Sequence, residues 1–430
     1  MASGEGRYAK SLEHLEKAIT VTPSGAQTYS KSPRTLPPGI VPLYANRADG
    51  CRIWDVDGNE YVDLISGLAA VNLGYGDQEI TAAVTKQLSD GVTISLSHPL
   101  EAAVAQQIID LVPCAEMVHF GKNGSDATTA AIRIARGFTA RDHVITCGYH
   151  GWQDWYIGTI PSRALGVPQA FSELLHPVPY NDLEAIETEL KKNPIAAVIM
   201  EPMTMEWPRP GYLEGVRTLT ERYGALLVFD EMVTGFRFSN GGAQEYFGVT
   251  PDLAAFGKGM ANGFPVSAVV GRSDLMRVLE RAFISGTFGG ELLSLTAANV
   301  VLDRIATTSV IADIAAIGKD LLSRVQAVVD ELGLGDVLSF AGHPAWVFLM
   351  WNPEIPELED VKNLFMQEMS RNGVLMIATH DIMASHDEAA LRVITDAYRK
   401  TLTIVKQALA DGNARDLVEV EVAKRGASVR

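Results

Sequence analysis

Ala-Leu-Leu-Val-Phe-Asp-Glu (225–231) and Leu-Ala-Ala-Phe-Gly-Lys-Gly (253–259) decide the fold of this chain. Each is a short, continuous apolar run that stops at a residue able to do chemistry, Asp230 in the first and Lys258 in the second. A continuous run, as opposed to an alternating one, is the mark of a strand covered on both faces. Residues 117–120, 143–147, 196–200 and 266–270 are four more such runs. Helical patterns lie between several of them, over 127–137, 182–192 and 213–223. This alternation predicts an α/β domain with a largely parallel sheet. Ligands in such sheets sit at the carboxyl ends of the strands.

Outward from this core the texture changes. Residues 1–20 read as a charged amphipathic helix, and Pro23, Pro33, Pro37, Pro38 and Pro42 keep 22–42 irregular. Residues 52–64 read as a β-hairpin turning at Asp57-Gly58. The nearby Asp55 and Asp57 lack the remaining ligands of a calcium loop, so a turn is the stronger reading. After about 300 the pattern predicts a smaller α+β domain. It has a long helix at 311–332, strands near 337–351 and 373–377, and helices at 358–371 and 386–410. Residues 411–430 carry mixed charge and read as a loosely held tail.

At 430 residues the chain has room for two or three domains and a core that needs no disulfides. Cys51, Cys114 and Cys147 are odd in number and widely spaced, which favours buried thiols in a reducing compartment. No signal-peptide pattern or long apolar run stands out, so a cytoplasmic protein is expected. The charge sum, 36 − 52 = −16, argues against nucleic acid or an anionic membrane as principal partner. No two histidines fall at metal-ligand spacing, and no metal is expected.

The candidate chemistry sits at strand ends. Gly121-Lys122-Asn123-Gly124-Ser125-Asp126 leads from a strand into a helix. Its glycines, hydroxyl and helix N-terminus suit a phosphate, although, taken alone, an ordinary helix cap by Ser125 or Asp126 is the stronger reading. Neither a Walker loop nor G-x-G-x-x-G is present. Tyr149-His150-Gly151-Trp152 ends another strand, where an aromatic side chain can stack on a planar ring or simply pack in the core. Asp230 and Lys258 end two more, as a functional pair or a structural ion pair. Pyridoxal phosphate needs all four parts at once: an imine-forming lysine, an acid facing the ring nitrogen, a stacking ring and a phosphate cradle.

At these residues the chain resembles the class III pyridoxal-phosphate aminotransferases of fold type I, and within them the glutamate-1-semialdehyde 2,1-aminomutase group. The likeness rests on Trp-Asp-Val-Asp-Gly-Asn (54–59), Asn-Gly-Ser-Asp-Ala-Thr (123–128), Tyr-His-Gly (149–151), Pro-Tyr-Asn-Asp-Leu (179–183), Glu-Pro (201–202), Leu-Val-Phe-Asp-Glu-Met-Val-Thr-Gly-Phe-Arg (227–237), Gly-Lys (257–258) and Gly-Thr (286–287). It implies a mainly parallel seven-stranded sheet in a large cofactor domain, 66–305. The smaller domain would be built from 1–65 and 306–430. It implies Lys258 as the Schiff-base lysine, Asp230 as partner of the ring nitrogen, Tyr149 stacked on one ring face and Met232 against the other. Gly124 and Ser125 would bind the phosphate. Thr287 would reach the phosphate of a neighbouring subunit in a homodimer with shared sites. Glu201 would sit near the cofactor hydroxyl and His150 beside the stacked ring. Arg34, in Ser-Pro-Arg (32–34), would anchor a substrate carboxylate.

Departures from the family point to a different substrate. The segment between Tyr149 and Pro179 is shorter than the aminomutase lid and carries Trp152, Trp155 and Tyr156. Trp152 is the candidate substrate contact there. Glu291 and Asn123 stand where asparagine and serine are usual. The expected activity is amino transfer from a small-molecule donor to an aldehyde or ketone by a ping-pong mechanism. An intramolecular aminomutase or racemase, and a non-catalytic protein that has kept the fold, are the alternatives.

Overall fold

All six apolar runs become strands of one seven-stranded sheet in a computed structural model that describes residues 6–420. From one edge its strands are Met117–Gly121, Ser267–Gly271, Leu253–Phe256, Leu226–Asp230, Ile195–Met200, His143–Cys147 and Leu175–Pro177. Only Ser267–Gly271 runs against its neighbours, and the rest are parallel. The seventh strand, Leu175–Pro177, is absent from the sequence reading. It is three residues long, and its proline suits only a sheet edge.

The continuous apolar runs have their expected physical cause. Every residue of Ile195–Met200 and of Leu226–Asp230 is buried. Each fully buried aliphatic side chain there contributes roughly 1.5–3 kcal/mol. Helix Gly124–Thr139 lies on this sheet through Ala127, Ala130, Ala131, Ile134 and Ala135, small side chains that allow close approach. Helix Tyr212–Tyr223 stops at Gly224, whose φ of +64° is the left-handed cap that glycine adopts most readily.

Register sets the strand ends against each other. Asp230 pairs with Ala255, so Lys258 follows three residues beyond that level on the adjacent strand. Cys147 pairs with Met200, which puts Gly148 and Glu201 side by side.

Contacts group the described residues into two units, one spanning Gln78–Ala312 and the other joining 6–77 with 313–420. In the second unit, Val374–Leu375 pairs in parallel with Glu60–Asp63, so the two ends of the chain share a four-stranded sheet. Strands Leu338–His343, Trp346–Trp351 and Thr379–Asp381 form a separate antiparallel sheet. The hairpin turns at Gly58, with φ +91°. Asp55 organises this turn by accepting from the N–H groups of Asp57 and Asn59 and from the Tyr61 hydroxyl. Of the expected tail, Ala414–Leu417 is a short helix, and 421–430 lie outside the described residues. The three cysteines are free and buried. Among the described residues, no helix is long and apolar enough to cross a membrane, and no cluster of three or more His, Cys, Asp or Glu could hold a metal.

Candidate active site

Asp230 closes its strand in a nearly dry environment, 4% exposed. Its Oδ2 lies 2.9 Å from Nδ1 of His150, and its Oδ1 accepts the Met232 N–H at 3.1 Å. Facing a carboxylate, His150 Nδ1 carries the proton and donates it to the bond. His150 Nε2 is buried with no hydrogen-bond partner among the described residues. The imidazole is held from the side by Tyr156, with ring centroids 5.2 Å apart. Tyr156 is itself fixed by donating to the Gly148 carbonyl at 2.7 Å. Burial, helped by the charge of Glu201, raises the Tyr156 pKa, so its hydroxyl keeps the proton that this bond requires.

The next residue, Glu231, is also fully buried but faces elsewhere. Its carboxylate accepts from the Thr234 hydroxyl and from the N–H groups of Ala243 and Gln244. Burial raises its pKa, and these bonds pull against that shift. Glu231 ties its loop together, and of the two neighbours it is Asp230 that bonds His150.

Tyr149 is placed by Glu201. The Glu201 Oε2 accepts the Tyr149 N–H at 2.9 Å. Gly148, with φ +107°, lets the two loops meet, because a Cβ there would stand 2.6 Å from the same Oε2.

The loop after strand Met117–Gly121 makes a cradle. Asp126 Oδ2 accepts the N–H groups of Lys122 and Asn123, which bends the chain into helix Gly124–Thr139. The first-turn N–H groups of a helix have no intrahelical acceptor and favour an anion. Ser125 Oγ lies at that turn and accepts the Trp152 N–H at 3.2 Å. Gly151 crosses so close that a Cβ there would sit 2.2 Å from Ser125 Oγ. A Cβ on Gly124 would lie 2.7 Å from Met232 Sδ, and one on Gly257 would lie 3.0 Å from the same atom. The loops after three strand ends therefore converge on Met232. Lys258, next to Gly257, takes the left-handed conformation, φ +44°, uncommon for a side chain of its size.

The structure thus gathers Gly124, Ser125, Tyr149, His150, Glu201, Asp230, Met232 and the Lys258 loop at one edge of one sheet. Thr287 lies in an exposed turn before helix Leu292–Thr307. Trp152 uses its backbone for Ser125, while its ring is 66% exposed. Arg34 belongs to the other unit, where its guanidinium stands 6.0 Å from the centre of the Tyr29 ring.

The roles of four residues escape the sequence reading. Asp126 had a signal, its capping spacing from Asn123. Tyr156 had none, because its contact with His150 depends on how the segment folds back. Lys122 and Glu291 pair at 2.8 Å. Burial works to raise the Glu291 pKa, but bonds from Lys122, Ser294 and the Leu293 N–H outweigh it and hold the carboxyl below its usual range. Glu291 thereby caps helix Leu292–Thr307 and ties it to the cradle loop.

These residues fit pyridoxal phosphate on structural grounds. The cradle is closed by glycine backbone where any Cβ would collide, and a buried carboxylate, an aromatic side chain and a lysine loop surround it.

Comparison with known proteins agrees with the geometry. Residues 37–409 match the family described as Aminotransferase class-III. The chain is 35% identical over 422 residues to the 3-aminobutyryl-CoA aminotransferase of Cloacimonas acidaminovorans (strain Evry), covering 94% of this chain and 99% of that protein. It is 35% identical over 350 residues to the glutamate-1-semialdehyde 2,1-aminomutase of Syntrophobacter fumaroxidans, covering 77% of this chain and 78% of that protein. Among solved structures, the PLP-bearing FumI protein of Sphingopyxis sp. MTA144 superposes with a TM-score of 0.86 at 26% identity, covering 93% of this chain and 97% of that one.

Proposed function

The chain belongs to the class III aminotransferase family and takes pyridoxal phosphate as its cofactor; on that premise we propose that it moves an amino group from an amino donor to an aldehyde or ketone in two half-reactions. The observation that carries the reading is the buried Asp230, held by His150 and Met232 at the strand end beside the Lys258 loop.

Pyridoxal phosphate, when bound, supplies an electron sink for a carbanion. The chain's own groups do the rest. Lys258 holds the cofactor and then serves as the base that moves a proton at the substrate carbon. Asp230 keeps a proton on the ring nitrogen, and His150 Nδ1 orients that carboxylate. Tyr149 and Met232 would cover the two ring faces, and Glu201 would sit by the ring hydroxyl. Gly124, Ser125 and the helix N-terminus hold the phosphate. Arg34 anchors a substrate carboxylate.

Relatives of both transferring and isomerising kinds exist. Amino transfer is favoured by the segment after Tyr149. Trp155 and Tyr156 are buried in the core cluster, which anchors the start of that segment. An aminomutase must instead retain its released diamine until the amine returns. We place the enzyme in a homodimer in which Thr287 reaches the partner's phosphate. Phe283 and Phe288 are 84% and 58% exposed, and Leu96 is 81% exposed on a segment joined to the same loop through the Leu292 N–H and the Val92 carbonyl. Burial of such side chains in a second copy would explain them. The free thiols fit the cytoplasm as the compartment.

The test is a panel of amino donors offered to the holoenzyme without acceptor. One keto acid released per site supports transfer. Isomerisation of a substrate with no keto acid released overturns it.

A further inference from the structure

Helix Gly124–Thr139 has a second working face. On it a cavity of about 450 Å³ opens between the helix and the segment after Gly151. Arg133 and Arg136, one turn apart, line one wall, and Trp152, Trp155 and Phe171 line the other. The volume falls in the range of small-molecule sites.

The two arginines bond to backbone carbonyls. The Arg133 Nη1 donates to the Phe283 carbonyl at 3.0 Å, and the Arg136 Nε to the Asp142 carbonyl at 2.8 Å. Neither forms an ion pair with a carboxylate among the described residues, although most arginines of this acidic chain do. Arg136 is half-buried, and burial lowers its pKa despite the nearby Asp142. A half-buried guanidinium that forms no ion pair gains from an anion that reaches it. Asp154 is the one carboxylate in the lining, which leaves an excess of positive charge.

The aromatic wall is organised differently from a core. Trp155 is buried and donates its Nε1–H to Thr129 Oγ1 at 2.7 Å. Thr129 in turn donates to Gln153 Oε1 at 2.8 Å, which fixes the segment on the helix. Trp152, next to the glycine that crosses the cradle, leaves its ring two-thirds exposed beside this rigid wall. An exposed indole next to guanidinium groups that lack a carboxylate partner suits a flat ring carrying negative charge.

We propose that this cavity is a second ligand site, distinct from the cofactor site, that takes a small anion made of a planar ring joined to a phosphate or carboxylate. The ring would stack on Trp152, and the anionic group would take the fork of Arg136, supported by Arg133.

Holoenzyme saturated with pyridoxal phosphate is tested by equilibrium dialysis with AMP, indole-3-acetate, adenosine and inorganic phosphate. Saturable binding of AMP or indole-3-acetate, at least about ten-fold tighter than adenosine or phosphate, is expected, and the tighter of the two identifies the anionic group. The double change Arg133→Gln, Arg136→Gln should weaken that binding about ten-fold or more while the bound-cofactor absorbance stays. Trp152→Ala, at an exposed ring, should also weaken it, and serves if the double variant fails to fold. The proposal is overturned if neither ring-bearing anion saturates, or if binding is unchanged by Trp152→Ala or by a double variant that folds.

Discussion

Two buried aspartates mark opposite edges of the same sheet. Asp230 ends strand Leu226–Asp230 at the carboxyl edge, and Asp252 precedes strand Leu253–Phe256 at the amino edge. Asp252 is saturated by permanent charge. Its two oxygens each take a guanidinium, Arg217 and Arg272, at 2.9 Å, and it also accepts the Leu227 N–H. Asp230 has only a titratable imidazole and one backbone N–H. A carboxylate that holds a fold together is best matched by groups that never change state. A carboxylate that must face a cofactor is held by groups that leave acceptor capacity free. The loops differ in the same sense, since the strained Lys258 backbone lies at the carboxyl edge.

This contrast can be broken at either edge. The largest effect is expected from Lys258→Ala, which should lower turnover by on the order of 10⁴ without unfolding the chain. Steady-state keto acid formation measures it, and a variant retaining a tenth of wild-type activity would remove Lys258 from the proposed chemistry. At the other edge, Asp252→Ala removes the carboxylate shared by Arg217 and Arg272, which keep Glu221 and Asp274 as partners. A loss of about 2 kcal/mol is expected in urea denaturation, chiefly from the buried Leu227 N–H that loses its acceptor, with little change in the turnover of the folded holoenzyme. An equal loss of activity would erase the distinction between the edges. Gly151→Ala should weaken cofactor binding about ten-fold or more, because the new methyl meets Ser125 Oγ at a backbone angle alanine resists. Titration with pyridoxal phosphate reads this directly, and unchanged affinity would mean that the cradle relaxes.

The smallest effect concerns pH. Glu291 is held below its usual pKa, so its folded value lies under its unfolded one. Its contribution to stability is therefore complete above the ordinary glutamate range of about 4.3 and is lost as pH falls through the folded value. The stability gap between wild type and Glu291→Gln should narrow on acidification below that range. A gap that widens instead would mean that folding raises the Glu291 pKa, and that Lys122 does not hold its charge.

The sheet was legible because its strands are buried on both faces, and the runs ending at Asp230 and Lys258 could hardly be read otherwise. Leu175–Pro177 was not, since an edge strand of three residues has no periodicity to detect. At the candidate site, residue types at strand ends were legible, as was the likeness of Tyr149-His150-Gly151 to a ring-binding strip. The His150 contact with Asp230 spans 80 positions and depends on strand order, which no local pattern encodes. The wall supplied by Tyr156 and the pairing of Lys122 with Glu291 were hidden for the same reason. The departure at Glu291 was visible, but its use as a helix cap was not.

The most direct test is borohydride reduction of the holoenzyme followed by peptide mapping. The account predicts one pyridoxyl group per chain, attached to Lys258. Attachment to any other lysine, or recovery of unmodified chain from enzyme shown to contain bound cofactor, would contradict it.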